Sequence, residues 1–214
     1  GIVGDLGYST VGNTGEVVLS QCRNDGILKV YARQTSSYSY AAVGSIIGAG
    51  GNAAISYCYN DKATINVYTD TGKFDIFDGG FIAGYLYNST LEQCYNPKYN
   101  RGVSSATASA WRLGSLIGLA EDTTLTNCSY NSGAGTYKAI ALDDGSNTSD
   151  ARSVAQESYF NQQRNYPNFD FTNIWTLSGT RAIFTKPLTH THSLTKTSAV
   201  AGTCTLAGNI DYWH

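Results

Sequence analysis

Four cysteines stand at positions 22, 58, 94 and 128, spaced 36, 36 and 34 residues apart. A thiol can serve as a nucleophile, a metal ligand or a disulfide partner. A nucleophilic thiol needs a base within reach, most often a histidine. The three histidines of this chain all lie beyond residue 189, at His190, His192 and His214, which argues against a catalytic cysteine. His190, His192, Cys204 and His214 are of ligand type, yet their spacing matches no complete zinc site. A solvated tail is the simpler reading. Paired carboxylates could run glycoside hydrolysis if held about 5–9 Å apart. The candidates are Asp70, Asp75, Asp78, Asp143, Asp144 and Asp150. The run LDDGSNTSD (142–150) is oxygen-rich like a calcium loop but lacks the EF-hand spacing. Turn chemistry accounts for these residues without a site. The expectation is a non-enzymatic chain with no catalytic residue, no metal and no cofactor.

The cysteines belong to a larger pattern. Each follows an aliphatic residue by three positions (Leu19, Ile55, Leu91, Leu125), and each is followed by an asparagine (Asn24, Asn60, Asn96, Asn131). Ten residues before the last three cysteines a glycine closes a small apolar box: GSIIG (44–48), GFIAG (80–84) and GSLIG (114–118). The chain opens on a shortened box, GIVG (1–4), with an insertion around YSTVGNTG (8–15) before the first cysteine. The run ESYFNQ (157–162) reads as an eroded fifth copy, with Ser158 in place of cysteine. The different, aromatic run FDFTNIWTLSGTRAIF (169–184) reads as a terminal cap.

The elements that position these residues follow from their lengths. Each box is too short for a helix and is bounded by glycine, so it reads as a strand. The segment leading to cysteine reads as a second strand. Side chains three apart do not share one face of a flat strand, so a corner must turn the aliphatic and the cysteine inward together. The longer residues after CYN read as a third strand and a protruding loop. Positions that recur once per repeat should stack about 4.8 Å apart along parallel strands, with a right-handed crossover. The expected fold is all-β: a short right-handed parallel β-helix, or solenoid, of four to five rungs with a C-terminal cap and an extended tail. Cys22, Cys58, Cys94 and Cys128 would form one structural ladder, and Asn24, Asn60, Asn96 and Asn131 another, at turns. Distance alone permits disulfides between stacked cysteines, but parallel side chains converge poorly for the bond. A ladder of buried thiols is favoured over disulfides and over metal.

The glycine box followed by xxCYN resembles the GLUG-motif repeat of large bacterial surface proteins, found also in the N-terminal region of some immunoglobulin A1-cleaving metalloproteases. The resemblance covers about 1–184 and departs at CSYN (128–131), where one extra residue precedes the asparagine. It implies a β-helical cell-surface segment of a larger protein, with no active site in the repeats. The run TCTLAGNIDYW (203–213) is similar to the start of a small module of Gram-positive surface proteins, which continues into a Cys-x-x-Cys pair. Two domains are expected: 1–187, the GLUG-like β-solenoid, and 188–214, a linker with an incomplete module.

Composition narrows the partners. The net charge is -2 and 14% of residues are charged, so the chain carries no basic footprint for nucleic acid. No run is long and apolar enough to insert in a membrane. The triplets at Asn88, Asn127 and Asn147 are glycosylation-type but unremarkable in a chain rich in Asn, Ser and Thr. Tyr57, Tyr59, Tyr85, Tyr87, Tyr95, Tyr99, Tyr130 and Tyr137 would grip a host glycan or protein if they formed an exposed ladder, and would pack across strands otherwise. Trp111 and Trp175 read as core or cap anchors. The expected role is a structural or adhesive module, secreted or on the surface of a Gram-positive bacterium; the alternatives are an ancillary domain of a surface protease or glycosidase, or a β-helical glycosidase. The first box strand is an edge, so edge-to-edge self-association is expected.

Overall fold

The computed structural model describes residues 2–6, 16–32, 40–62, 64–69, 73–98, 101–103, 107–135, 137–148, 150–185, 196–197 and 212–213. The chain is all-β with parallel sheets, the class its glycine-bounded apolar runs predict. Two 3-10 helices, Glu157–Asn161 and Gln163–Asn165, are the helical elements among the described residues.

Five sheets are wholly parallel, and each collects the same stretch of successive repeats. The first holds Val3–Leu6, Ile47–Gly51, Ala83–Tyr87, Ile117–Glu121 and Ile140–Asp144. The second holds Val17–Ser20, Ala53–Ser56, Thr90–Glu92 and Thr124–Thr126. The third holds Arg23–Asn24, Tyr59–Asn60, Tyr95–Asn96, Cys128–Asn131 and Ala151–Val154. The fourth holds Leu28–Ala32, Ile65–Thr69 and Arg101–Val103, and the fifth Tyr40–Gly44, Lys73–Gly80 and Thr107–Gly114. Neighbours pair in the register of the sequence repeat. Leu19 lies beside Ile55, Ile55 beside Leu91, and Leu91 beside Leu125.

Three expectations are corrected. The glycine box is a corner joining two strands, not a strand. In GSIIG, Gly44 ends the strand Tyr40–Gly44, Ser45 and Ile46 bend, and Ile47 begins the next strand. The first glycine is obligatory because a Cβ on Gly44, Gly80 or Gly114 would overlap the carbonyl oxygen of Ile47, Ala83 or Ile117. The eroded fifth copy at 157–162 is not a layer of the sheets: it forms the first 3-10 helix. The strand beside Cys128–Asn131 is instead Ala151–Val154, with Ala151 opposite Cys128 and Val154 opposite Asn131. That last layer is shorter, because Ile117 pairs with Ile140, only 23 residues on. Finally, two strands rather than one follow each of the first three cysteine copies, and those of the fourth and fifth sheets enclose their own core of Ile65, Val67, Phe77 and Phe81.

The corner before each cysteine is made by a left-handed residue: Gln21, Tyr57, Gln93 and Asn127 have φ of 54°, 55°, 45° and 54°. A second left-handed corner follows the first sheet at Asn52, Asn88 and Asp122 (φ 53°, 43° and 46°), with Gly145 (φ 74°) at the fourth. These corners turn the aliphatic and the cysteine into one interior. There Ile55, Leu91 and Leu125 are 1% exposed or less, beside Cys58, Cys94 and Cys128 at 0%. Each fully buried aliphatic side chain contributes about 1.5–3 kcal/mol from its removal from water.

Candidate functional site

The residues singled out by their spacing form two interior columns. Cys22, Cys58, Cys94 and Cys128 are free thiols, the last three buried and Cys22 half-buried. Each Sγ donates to the carbonyl two residues earlier, across its own corner: Ser20 (3.5 Å), Ser56 (3.2 Å), Glu92 (3.3 Å) and Thr126 (3.4 Å). Adjacent copies also touch, as the Cys58 N–H points at Cys94 Sγ at 3.3 Å. A cysteine suits this place because it packs like a small apolar residue and still offers a weak donor.

These thiols are poorly disposed to ionise. Burial pushes Cys94 up and Cys128 up to about 12. Cys22 is raised by its hydrogen bond with Cys58 and then by burial. For Cys58 the bond with Cys22 pulls the pKa down, but the bond with Cys94 and burial outweigh it, and the thiol stands well above its ordinary value. A nucleophilic thiol needs the reverse shift.

The asparagines form the second column. Their backbones are not left-handed, unlike those of the two sets of corners already described. Asn24, Asn96 and Asn131 instead close a local turn, and all four reach across the interior. The Oδ1 atoms of Asn24 and Asn131 accept from the N–H of Gly26 (2.8 Å) and Gly133 (2.9 Å). The Nδ2 of Asn24 donates to the Ser45 carbonyl at 2.7 Å, and that of Asn96 to the Ser115 carbonyl at 2.9 Å. Asn60 donates to Asn96 Oδ1 at 2.9 Å, and Asn131 to the Pro97 carbonyl at 2.8 Å. Ser45 Oγ donates to the Phe81 carbonyl, and Ser115 Oγ to that of Asn131 at 2.9 Å. Asn60, Asn96, Ser45 and Ser115 are wholly buried, so these bonds replace the water they have lost. The two serines were not legible as partners in advance; their place after the first glycine of a box was the available signal.

The tyrosines do not form an exposed ladder. Tyr59 and Tyr95 stack at 4.9 Å, but both are buried beneath the segment 157–184. That segment, whose aromatic run 169–184 reads in the sequence as a terminal cap, lies along the outer face of the third sheet. Trp175 packs edge-on against Tyr59 at 5.7 Å and Tyr95 at 5.6 Å and stacks on Phe184 at 4.9 Å. Polar contacts fix it there: Tyr95 OH donates to the Ala182 carbonyl, the Asp170 N–H to Gln93 Oε1 at 2.8 Å, and Arg181 pairs with Asp61 at 2.6 Å. Tyr85 is buried and donates to Glu121 at 2.9 Å. Tyr57, Tyr130 and Tyr137 are half-buried, while Tyr40 and Tyr87 are exposed. Tyr99 lies outside the described residues.

The carboxylates are dispersed. Asp78 is wholly buried in a two-pronged pair with Arg112, whose Nη2 donates to Oδ2 at 2.8 Å. Burial pushes its pKa up, against the pull of Tyr40 and Arg112. Asp143 and Asp144 are exposed on the last strand of the first sheet, where Asp143 accepts the Ser146 N–H at 3.0 Å. Asp150 lines an open cleft of about 510 Å³ with Asn127, Arg152, Ser153, Pro167 and Asn168. Asp70, the side chain of Asp75, and His190, His192, Cys204 and His214 lie outside the described residues. Among the described residues no three His, Cys, Asp or Glu side chains are grouped to hold a metal, and no helix is long and apolar enough to cross a membrane.

Set against protein-family models, curated proteins and solved structures, the chain matches none. The likeness to GLUG-type repeats therefore rests on the box and the CYN motif.

Proposed function

We propose that the chain is a short right-handed β-solenoid of four to five rungs, serving as a non-enzymatic structural module of a larger bacterial protein that is secreted or held at the cell surface. One observation carries this reading: the recurring residues are spent on one another. Cysteine bonds its own corner, asparagine bonds the neighbouring layer or box, and the aliphatics stack in register. A stack in which each layer rests on the next is suited to holding other modules apart. Burial of the thiols suits an oxidising exterior, because a protonated, enclosed thiol is a poor partner for exchange.

Among the described residues, the exposed rings that could meet a host glycan or protein ligand are Tyr40 at 45%, Tyr87 at 41% and Tyr159 at 42%. The test is a screen of the chain against glycan and extracellular-matrix arrays, with Tyr40→Ala and Tyr87→Ala beside it. A spacer gives no saturable retention. Saturable binding to one ligand class, lost in Tyr87→Ala, would replace the spacer reading with an adhesive one.

A further inference from the structure

The outer column of the third sheet runs Arg23, Tyr59, Tyr95, Ser129 and Arg152 in register. The flanking segment covers its middle. Tyr59 and Tyr95 lie in the aromatic cluster, and the buried Ser129 donates from Oγ to the Asn165 carbonyl at 2.6 Å. Arg152 stands exposed at the rim, and it is held there. Its Nε donates to Asn165 Oδ1 at 3.3 Å. Asn165 is 7% exposed and is itself fixed, because its Nδ2 donates to the Tyr159 carbonyl at 2.8 Å. One edge of the guanidinium is therefore spent on the protein. Its two terminal nitrogens remain as a pair of donors, engaged by no other hydrogen bond or ion pair among the described residues.

Arg152 borders the cleft of about 510 Å³ that also takes in Asn127, Pro167 and Asn168. Asn168, at φ 49°, donates from Nδ2 to Asn127 Oδ1 at 3.0 Å, which ties the flank to the corner before Cys128. Asp150 and Ser153 line the same cleft. Asp150 does not pair with Arg152, and among the described residues no side-chain hydrogen bond or ion pair engages Asp150 or Ser153. A cationic fork, an anion and a hydroxyl thus share one concavity without satisfying one another. Its volume is in the range of small-molecule sites.

We propose that this cleft binds a sugar acid, a uronic or sialic acid unit of a glycan, with Arg152 on its carboxylate and Asp150 on a neighbouring hydroxyl. The inference goes beyond the spacer reading, and neither Tyr40 nor Tyr87 lines the site. The ligand class follows from the lining. Paired guanidinium N–H groups match the two oxygens of a carboxylate. An ionised Asp150 only accepts, so it needs a donor from the same ligand. Sulfate brings acceptors alone and meets Asp150 with like charge. A neutral sugar leaves the fork without its anion. A sugar acid carries a carboxylate and adjacent hydroxyls on one ring, and Pro167 offers an apolar surface to the ring's C–H bonds. One open site of this kind binds a single sugar at about millimolar strength. That is too weak to hold the chain on a washed array, so this binding is compatible with a spacer's blank screen and needs a solution measurement.

An amide-resolved nuclear magnetic resonance titration of the full 214-residue chain tests this. The probes are D-glucuronate and N-acetylneuraminate, with D-glucose lacking the carboxylate and acetate lacking the hydroxyls, all at one ionic strength. Saturable shifts of the Arg152, Ser153 and Asn168 amides with either sugar acid support the proposal, and which of the two saturates names the glycan unit. Arg152→Lys keeps the charge and loses the fork, and should weaken that binding about tenfold or more. Asp150→Ala should close the gap between the sugar acid and acetate. No saturation by either sugar acid up to about 50 mM overturns the proposal. So does equal binding of D-glucose or acetate to the unaltered chain, or undiminished affinity in Arg152→Lys. A loss confined to Tyr87→Ala also overturns it, by moving the binding to an exposed ring. The inter-strand hydrogen bonds, followed in the same spectra, report on the stack separately, so failure of the site and failure of the layered reading are told apart.

Discussion

A leucine in the middle of the stack and one at its first layer are the same residue in two environments. Leu91 is wholly buried and Leu19 is half-buried, though both stand three residues before a cysteine. Truncating Leu91 to alanine should cost about 2–5 kcal/mol, the range for a buried leucine. Leu19→Ala should cost clearly less, and urea unfolding of the two variants measures the difference. The thiols make a second prediction. An unfolded cysteine titrates near pH 8.5, while burial pushes Cys128 up to about 12 in the folded chain. Between these values the folded state holds the proton and the unfolded state has released it, so stability falls as pH rises through this window. The slope is up to about 1.4 kcal/mol per pH unit for each thiol. Unfolding curves from pH 7 to 11 should show this fall, shallower in Cys128→Ala. Iodoacetamide should leave Cys58, Cys94 and Cys128 unmodified until the chain unfolds.

The corners decide whether the strands meet. Asn88 is exposed at φ 43°, with its Nδ2 on Asn52 Oδ1 at 2.7 Å. A left-handed backbone costs an ordinary residue about 1–2 kcal/mol and glycine almost nothing. Asn88→Val should therefore lower stability by at least that amount and Asn88→Gly should be close to neutral, as thermal unfolding would show. The flanking segment makes a separate claim. Trp175 is fully buried among Tyr59, Tyr95 and Phe184, and Trp175→Ala should cost about 3–5 kcal/mol. A loss under 1 kcal/mol would mean that the segment does not support the stack. At this scale the sequence was readable where one residue per repeat answers to one environment. The aliphatic, the cysteine and the asparagine recur because their surroundings recur. The box was misread because glycine bounding an apolar run marks a strand end and a close-packed corner alike. The last strand of the third sheet was hidden because Ala151 and Val154 stand beside cysteine and asparagine without their chemistry. The flank was taken for a cap because an aromatic run declares that it is buried but not against which surface.

For the whole molecule, the account depends on parallel copies lying in register. The repeat length was legible, since 36 residues separate both the motifs and their paired strands. A binding site was not, because the tyrosines that could have formed one are divided between the surface and the buried flank. The most direct test is scalar coupling across backbone hydrogen bonds, read by nuclear magnetic resonance from an amide nitrogen to the carbonyl carbon that accepts its proton. The account predicts couplings from Tyr59 to Cys22, Tyr95 to Cys58 and Ser129 to Cys94, whose N···O distances are 2.9, 3.0 and 3.0 Å. Couplings that instead join these strands in antiparallel register, or that stay within one repeat, would contradict it.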